Sequence, residues 1–580
     1  MILLIHMKNI NIDNVRHSLA HILAESVLLL YPDSTIAIGP TIENGFYYDI
    51  DFKDKTINDD DLLKIEKKMK SIIDEKRKFV KNNISKVNAI KLFLKNNYKL
   101  ELIDELPESE ITIYKSEGGD FVDLCKGPHV SSTDEIDKNA FKLTKLAGAY
   151  WRGSEKNKML TRIYGIAFET PDQLNKYLFN IESMVGFDHK TIGSKMDLFF
   201  FDPTAPGMAY WTDKGLKIIN ILIDYWRKVH ESLGYKEFRT PLINKKELYL
   251  KSGHWDNYNE HMFISNTKEN EIYGLKPMNC PNAMIVYKHK IRSYKDLPLK
   301  ISDTDTLHRL EKSGTLNGLL RVREFCQDDA HIFVNPQNIE DEFNELINLV
   351  EKFYKLFNIQ YSFRLGTIPD KYIGDKSDFK KAEIILKKVL EDSGNEYKVL
   401  EGDGAFYGPK IDILMKDNFD REWQTGTLQL DFQIPKNFDL KFKDKDGSDK
   451  TPVVIHRVIY GSLERFIGIL LEHTKGELPV WISPIQIRLL PISEKFIAES
   501  QVIQAQLKEQ NIRVEIDSRN MTLSKKIKFS QDEKIPYTAV IGEKEITNQT
   551  LTIRKFNDKD LQSVKIEDLV KIIKENYPKY

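Results

Sequence analysis

Two histidines four residues apart, His17 and His21, stand in a stretch whose apolar residues recur at helical spacing. In a helix this spacing places both imidazoles on one face, where they can share a water molecule or a metal ion. A zinc protease motif would need glutamate where Ser18 stands, so that class of hydrolase is disfavoured. Taken alone, such a pair is more often two histidines on a helix surface.

A second pair, Cys125 and His129, has the same spacing. Gly127 and Pro128 lie between them and exclude a helix, so the two side chains are expected to converge from a tight turn. With the first histidine pair they could hold zinc tetrahedrally, or hold a hydrolytic water by hydrogen bonds without a metal. Both alternatives remain open, and we favour a hydrolytic pocket.

Residues 319–333 carry a run of polar groups that is informative if the segment is one β-strand. Alternation would then place these residues on one face: Arg321, Arg323, Phe325, Gln327, Asp329, His331 and Phe333. Such a face is a floor for an extended ligand with phosphate at one end and an amine at the other. The alternative is an edge strand that is charged on one side.

Farther along the chain, Gln424 and Gln429 have opposite parity in a strand-like segment. Both can face one pocket only if a β-bulge intervenes, and Gly426 is the predicted place. Residues 456–460 then read as a strand, and 461–468 as a helix capped near Ser462. The sequence contains no glycine-rich Walker or Rossmann loop, so a bound nucleotide would be held by arginines on a sheet.

The composition describes a folded protein of several domains. The 580 residues suffice for about three or four domains, and the 86 basic and 87 acidic residues leave a formal charge of -1, so no chain-wide attraction to nucleic acid or membrane is expected. A mean hydropathy of -0.43 and the lack of a long apolar run predict no membrane partner. Three cysteines cannot form a disulfide framework, and residues 1–7 are too short for a secretory leader. The predicted location is therefore the cytoplasm.

Hydrophobic periodicity divides the chain. Helices are predicted over 13–30, ended by Pro32, over about 58–77, and over about 170–195 as a linker. Residues 196–484 alternate helices with strands, and the segment after Pro484 alternates strand and helix as an α/β domain does. Short basic clusters at 67–70 and 525–528 are interpreted as solvated helix faces.

Several segments together resemble the signature motifs of class II aminoacyl-tRNA synthetases. They are residues 234–241 with Pro241 after a long helix, Arg309 and Glu311 with residues 321–331, and residues 461–465. The resemblance is strongest to the threonine-charging family, whose zinc-ligand segments are similar to residues 276–281, 327–331 and 454–457 and whose editing domain is similar to the His17/His21 and Cys125/His129 region. It covers nearly the whole chain from about Val15, and several independent motifs occur in the right order.

Two departures stand out. Many members carry an additional N-terminal domain for which there is no room before His17, and Asn282 and Ala283 replace a common Gly-His pair. The resemblance implies an α+β multidomain fold. Its predicted parts are an N-terminal α+β editing domain at 1–170, a linker helix at 171–195, a class II antiparallel sheet flanked by helices at 196–484, and a C-terminal α/β anticodon-binding domain at 485–580. It also implies a homodimer formed through the motif around Pro241.

The resemblance further implies the activity, which is ATP-dependent ligation of L-threonine to tRNA(Thr) through a threonyl-adenylate. One Zn²⁺ per subunit would be held by Cys280, His331 and His456, and Mg²⁺ would accompany ATP. Asp329 would receive the substrate ammonium, and Arg309, Arg321 and Arg465 the ATP phosphates. The other residues implied at this site are Met278, Glu311, Phe325, Gln327, Tyr407, Lys410, Gln424, Gln429, Ser462 and, for transfer to tRNA, His254.

By the same resemblance, editing of seryl-tRNA would use His17, His21, Lys99, Asp123, Cys125 and His129. Anticodon reading would use Asn520, Glu545 and Arg554. Three alternatives remain: a relative that charges proline or serine, a non-catalytic RNA-binding regulator on the same scaffold, and a hydrolase confined to the first 190 residues. Zinc at Cys280, His331 and His456 separates the first alternative from the threonine interpretation, and the three arginines argue against the second.

Overall fold

The computed structural model describes residues 11–107, 111–558 and 560–579 and divides into two compact units, Met1–Ser183 and Met184–Tyr580. Each unit is described by itself. Residues 1–7, interpreted above as too short for a leader, lie outside the described residues. Among the described residues, no helix combines the length and the apolar character needed to cross a membrane.

The first unit contains helices packed on a small antiparallel sheet. Its elements are α1 Ile12–Leu30, β1 Thr35–Ile36, β2 Thr41–Ile42, β3 Gly45–Asp51, α2 Asp59–Asp74, β4 Phe79–Ile84, α3 Lys86–Leu92, α4 Asn97–Asp104, β5 Ile111–Ser116, β6 Val122–Leu124, β7 Phe141–Tyr150, β8 Met159–Ala167 and α5 Pro171–Ser183. Strands β1-β3-β8-β7 form the main sheet with β2 beside β3, and β4-β5-β6 form a second sheet. Asn11 caps the start of helix α1, where its side chain accepts a hydrogen bond from the backbone of Asp13, and the helix ends before Pro32. The predicted helix over 13–30 is therefore confirmed.

The second unit begins with the elements that surround its large sheet. They are α6 His189–Lys195, β9 Phe199–Phe201, β10 Ala209–Trp211, α7 Asp213–Ser232, β11 Lys236–Glu237, β12 Ile243–Lys245, α8 Lys246–Lys251, α9 His254–Tyr258, β13 Ile264–Asn266, β14 Ile272–Leu275, α10 Cys280–Lys288, β15 Leu299–Asp303, β16 Thr306–His308, β17 Glu324–Cys326, β18 Asp329–Val334, α11 Ile339–Lys355, β19 Gln360–Gly366, α12 Lys376–Ser393, β20 Tyr397–Leu400, β21 Lys410–Lys416, β22 Glu422–Asp431, α13 Ile434–Asn437, β23 Phe442–Lys443, β24 Asp449–Lys450, β25 Val453–Val458 and α14 Leu463–His473. The strand order is β11-β15-β18-β25-β22-β21-β19-β20. Its pairs are antiparallel except β11 with β15 and β19 with β20. Apolar side chains of α7, α11, α12 and α14 pack on one face of this sheet and form the largest core.

The unit ends with a smaller sheet in the order β27-β26-β28-β29-β30. Its elements are β26 Ile487–Pro491, α15 Ile497–Glu509, β27 Val514–Ile516, α16 Leu523–Asp532, β28 Tyr537–Ile541, α17 Glu543–Asn548, β29 Leu551–Lys555, β30 Leu561–Val564 and α18 Ile566–Lys574. The first three strands of this order are parallel and the rest antiparallel. The mixture of helices with an antiparallel central sheet confirms the predicted α+β multidomain class.

Two local predictions are wrong. The linker over 171–195 is not one helix, because α5 ends at Ser183 and α6 starts at His189, with Gly186 between them at a left-handed φ of 81°. Residues 319–333 are not one strand either. They begin in the 3₁₀ turn Gly318–Leu320 and then form β17 and β18, separated at Gln327 and Asp328.

The break before β18 has a tertiary cause. The buried carboxylate of Asp328 accepts hydrogen bonds from the backbone N–H groups of Ile459, Tyr460 and Gly461 at 3.0–3.2 Å. The alternation assumed from the sequence therefore fails here: Val322 lines the cavity described below, whereas Arg323 does not.

Candidate active site

A cavity of about 540 Å³ opens over the centre of the large sheet. Its walls come from β17, β18, β22 and β25, from the loop before β17 and from the start of α14. Residues singled out from the sequence supply much of the lining: Met278, Cys280, Arg309, Glu311, Arg321, Phe325, Gln327, Asp329, Tyr407, Gln424, Gln429, His456, Ser462 and Arg465. Residues from separate parts of the chain are thus brought to one space.

A possible metal site lies at one end of the cavity. Cys280, at the start of α10, and His331 and His456, directly opposite each other on β18 and β25, offer ligand atoms that all lie within 4.8 Å of one another. Nε2 of His331 and Nδ1 of His456 are buried and have no hydrogen-bond partner among the described residues, and Nε2 of His456 lies 2.9 Å from Asp431. Burial alone would raise the pKa of the Cys280 thiol, but the neighbouring His456 and His331 lower it to about 7. A thiol and two unpartnered imidazole nitrogens are the donors that zinc prefers.

Beside this cluster lies a buried carboxylate. Asp329 is 6% exposed, and its Oδ2 accepts a hydrogen bond from Asn279 at 3.1 Å. Burial raises the pKa of Asp329, because a charge that is removed from water is costly unless an opposite charge pairs with it. The hydroxyl of Tyr407 donates to Gln429 on the adjacent wall. This part of the cavity is therefore suited to a small cation with polar groups around it.

Arginines line the opposite end. The guanidinium of Arg309 lies 5.0 Å from the Phe325 ring centre, and Arg321 donates to Glu311 at 3.0 and 3.1 Å. Burial lowers the pKa of Arg465, and the nearby Arg321 lowers it further. Cations held this close together repel one another and favour a polyanion between them.

The predicted bulge in β22 is confirmed. Between the pairs Asp412 with Thr427 and Leu414 with Gln424, strand β22 contains one residue more than β21. A Cβ on Gly426 would lie 2.6 Å from the carbonyl oxygens of Val458 and Ile459, so the backbones approach too closely for a side chain. The extra residue is what brings Gln424 and Gln429 to the same cavity.

Three residues of the predicted site stand outside this lining. Lys410 pairs with Asp403 and Asp412 at 3.1 Å, and Asp412 accepts hydrogen bonds from Gln424 and Thr427 of the lining. His254 is fully buried. Its Nδ1 lies 2.8 Å from Ser252, and its Nε2 has no partner in the part of the chain that the structure describes. Burial, then the charge of His456, lowers the pKa of His254 to about 4. His331 reaches the metal cluster from β18 without lining the cavity.

The first unit contains the second constellation. Sγ of Cys125 lies 3.2 Å from Nε2 of His17 and 3.3 Å from Nε2 of His129, and the His21 ring packs 4.3 Å from that of His129. Pro128 and Ser18 hold the other nitrogens, with Nδ1 of His17 at 3.0 Å from the Pro128 carbonyl and Nδ1 of His129 at 3.1 Å from the Ser18 hydroxyl. The two pairs that are far apart in sequence therefore form one cluster.

Burial dominates the ionisation of this cluster. It raises the pKa of the Cys125 thiol to about 11 and lowers the pKa of His129 to about 2. It also holds the pKa of His21 well below its usual value. At neutral pH the cluster thus contains a thiol and neutral imidazoles, which can orient a water molecule but do not form a thiolate nucleophile.

The polar floor beneath this cluster includes one residue that the sequence did not single out. Lys99 and Asp123 form a buried ion pair, and the hydroxyl of Tyr48 donates to Asp123 and accepts from Lys99 at 3.2 Å. Tyr48 lies on β3 between the buried residues Phe46 and Ile50. The same-face pattern predicts its burial, and a buried tyrosine hydroxyl requires a partner, so this signal was present in the sequence.

Sequence reasoning assigned no role to seven residues of the cavity lining: Tyr258, Leu320, Val322, Thr425, Thr427, Arg457 and Val458. It also missed Asn279 and Asp328, which hold Asp329 and the β25–α14 turn as described above. Their roles depend on partners far away in sequence, so periodicity gives no signal for them.

The residues predicted to read an anticodon lie on the last sheet and its loops. Asn520 is exposed in the loop after β27. Glu545 accepts from Thr552 at 2.7 Å, and Arg554, two residues farther along β29, donates to the carbonyl of Asp558 at 2.7 Å. Glu545 and Arg554 therefore border the same strand.

An antiparallel sheet with an arginine-lined cavity at its centre is the architecture of class II aminoacyl-tRNA synthetases. Residues 262–474 match the model of the class II tRNA synthetase core domain for G, H, P, S and T. Residues 486–576 match the anticodon binding domain. Residues 111–164 match the threonyl and alanyl tRNA synthetase second additional domain.

Full-length relatives narrow the assignment. Threonine–tRNA ligase of Acetivibrio thermocellus is 48% identical over 569 residues, covering 97% of this chain and 88% of that protein. That of Caldanaerobacter subterraneus is 46% identical over 96% of this chain and 86% of its own length. A crystal structure described as the RNA binding domain of threonyl-tRNA synthetase from Cryptosporidium parvum aligns with a TM-score of 0.66 and 39% identity, over 68% of this chain and 99% of that one. The chain belongs to the threonine–tRNA ligase family, which confirms the predicted synthetase with its editing domain.

Proposed function

We propose that the cavity over the large sheet activates L-threonine with ATP and transfers it to tRNA(Thr). The observation that carries this assignment is the convergence of Cys280, His331 and His456 at one end of the cavity that Asp329, Arg309, Arg321 and Arg465 line. A small polar amino acid would occupy the first end and ATP the second. The carboxylate of the amino acid would then face the α-phosphate between them.

The residues present fit a zinc ion. Cys280, His331 and His456 would hold it, since two of their nitrogens are buried without partners and the thiol loses its proton readily. When bound there, Zn²⁺ would supply a Lewis acid that recognises the β-hydroxyl of threonine. We propose one such ion per subunit and no other structural role for these three side chains.

Other residues of the cavity would position the amino acid. Asp329 would pair with the ammonium group, and Met278, Gln327, Tyr407 and Gln429 would surround the side chain. This pairing offsets the burial of the Asp329 charge, so binding is favoured for an amino acid over a simple carboxylic acid.

At the other end, Phe325 would stack on adenine and Arg309, Arg321 and Arg465 would hold the phosphates of Mg²⁺-bound ATP, with Glu311, Gln424 and Ser462 at the border. The threonine carboxylate attacks the α-phosphorus in line and pyrophosphate leaves, so no covalent enzyme nucleophile is needed. Lys410 holds the wall behind this site, and His254 would assist the later transfer to the terminal ribose of tRNA.

The cluster in the first unit would remove serine that has been attached to the tRNA by mistake. A site that binds a hydroxyl rejects valine strongly, but serine retains the hydroxyl and lacks only a methyl group, a difference of about 1 to 3 kcal/mol or roughly 10 to 200-fold. We propose that His17, His21, Cys125 and His129, supported by Lys99 and Asp123, hydrolyse seryl-tRNA through a bound water. We propose a water and not a metal in this pocket, because a water held between an imidazole and the thiol of Cys125 would serve.

The remaining assignments follow the domain division, with editing at 1–170, catalysis at 196–484 and anticodon reading by Asn520, Glu545 and Arg554 at 485–580. We propose a homodimer in the cytoplasm, joined near Pro241, where Phe238, Leu242 and Ile243 expose 37–56% of their apolar surface. Contact between two copies would remove this surface from water.

The test is amino-acid-dependent pyrophosphate exchange with threonine, serine and valine, together with measurement of zinc content. The proposal expects exchange with threonine, weaker exchange with serine, almost none with valine, and one zinc per chain. Exchange driven by proline, or a preparation that is active without zinc after exhaustive chelation, would overturn it. Two zinc ions per chain would overturn the metal-free editing pocket alone.

A further inference from the structure

Arg321 lies in the loop between β16 and β17, residues 309–323. A histidine outside the cavity anchors this loop. His189, in α6, is 1% exposed. Its Nε2 accepts a hydrogen bond from the backbone N–H of Leu319 at 3.0 Å, and its Nδ1 lies 2.7 Å from Glu472 of α14. One neutral imidazole thus serves as acceptor for the loop and donor to the helix.

The contact is sterically close as well as hydrogen-bonded. Gly318 has a left-handed φ of 49°, and a Cβ at this position would collide with the His189 ring. On the other side, a Cβ on Gly468 of α14 would come within 3.1 Å of the Leu319 side chain. The turn Gly318–Leu320 is therefore seated between α6 and α14.

The turn Gly318–Leu320 directly precedes Arg321, the residue that would contact ATP. Residues 312–315 and 317 of the loop are exposed, whereas Leu319 and Leu320 are buried. The backbone N–H of Asn317 closes the turn on the carbonyl of Arg321 at 3.2 Å, and Leu320 and Arg321 both line the cavity. The loop is also held at Leu310, by the His261 carbonyl, at Arg323, by the Gly207 carbonyl, and at Asn317, whose side chain accepts from Lys190 at 3.4 Å. Between these points, the His189 ring is the acceptor for the buried N–H of Leu319.

We propose that His189 is a positioning residue for ATP binding: its imidazole holds the backbone of Leu319 and so places Arg321 at the phosphate end of the cavity. The inference rests on the proposed role of Arg321. His189 touches neither substrate. It acts by satisfying a buried N–H group that would otherwise lose its acceptor.

Two substitutions separate the two bonds of the ring. The side-chain amide of His189→Gln reaches about as far as the Nε2 atom of histidine, so it can accept the hydrogen bond from Leu319. The shorter amide of His189→Asn reaches only about as far as Nδ1, so it retains only the hydrogen bond to Glu472. The measurements are KM for ATP and for threonine in pyrophosphate exchange, and the melting temperature of each variant. We expect His189→Asn to raise KM for ATP about ten-fold with KM for threonine nearly unchanged, and His189→Gln to remain within about three-fold of the parent.

Gly318→Ala attacks the same contact from the loop and covers the case in which His189→Asn does not fold. It is expected to raise KM for ATP by a similar factor. The inference is overturned if His189→Asn or Gly318→Ala leaves KM for ATP unchanged or raises the KM values for ATP and threonine equally. It is also overturned if His189→Gln raises KM for ATP more than His189→Asn does. The proposed function fails separately, when the parent enzyme shows no threonine-dependent exchange or when Arg321→Ala leaves KM for ATP unchanged.

Discussion

The carboxylate of Asp431 lies 2.9 Å from Nε2 of His456, and both residues are buried. Because this contact occupies Nε2, it leaves Nδ1 of His456 as the nitrogen that faces Cys280 and His331. A carboxylate behind a histidine fixes the tautomer and the orientation of the ring, as it commonly does behind the histidine ligands of metal sites. Asp431 therefore belongs to the proposed zinc site although it is not one of its ligands.

Replacing Asp431 with asparagine should weaken zinc binding about 10 to 100-fold, because the amide holds the His456 ring less firmly and does not raise its basicity. The measurement is zinc retained against a competing chelator, which does not depend on activity. Asp449→Asn, an exposed change on the hairpin of β23 and β24, is the control and should retain zinc like the parent. Equal retention by both variants would contradict the role of Asp431.

Asp329→Asn removes the charge proposed to receive the ammonium group of threonine. A buried charge-assisted hydrogen bond is lost, and we expect kcat/KM for threonine to fall about 100-fold or more. KM for ATP should change little, because the phosphate end of the cavity is untouched. Pyrophosphate exchange with each substrate varied in turn gives both values, and an unchanged KM for threonine would exclude this role for Asp329.

Cys125→Ala removes the thiol between His17 and His129. Seryl-tRNA should then accumulate, because the proposed water loses one of the groups that orient it, while threonine activation stays at the parental rate. Deacylation of preformed seryl-tRNA is the direct measurement. Normal proofreading by this variant would show that the cluster has another purpose.

The first unit should lose stability in acid partly through Asp51. Burial would raise the pKa of Asp51, but hydrogen bonds from Lys158, from the backbone of Lys53 and from Tyr98 lower it to about 2. A folded-state pKa below the unfolded value means that the stabilisation is complete above about pH 4 and is lost as the pH falls towards 2. Asp51→Asn should therefore lower the melting temperature at pH 7 but have little effect near pH 2.

Thermal unfolding of both proteins across this range checks the sign. The gap between the parent and Asp51→Asn should narrow steadily between pH 4 and pH 2. A gap that is constant with pH would mean that the carboxylate contributes only through its shape and not through its charge.

Local patterns in the sequence were sufficient for several features. The helical spacing and Pro32 predict α1, and the opposite parity of Gln424 and Gln429 predicts the bulge at Gly426. These features are encoded within a few residues by backbone preference and by the alternation of apolar and polar side chains. The order of the signature motifs likewise indicates the family from the sequence alone.

Other features depend on contacts that no local pattern contains. Asp328 interrupts a predicted strand because it binds a turn more than 120 residues away, and Tyr48 meets Lys99 and Asp123 from a different strand. Cys280, His331 and His456 are predicted as zinc ligands by the family resemblance and not by their spacing along the chain. Their approach to one point requires α10, β18 and β25 to be packed together. The sequence by itself determined the elements and the residue types, whereas tertiary packing decided which side chains meet, because hydrogen bonds and metal sites form between atoms close in space whatever their separation along the chain.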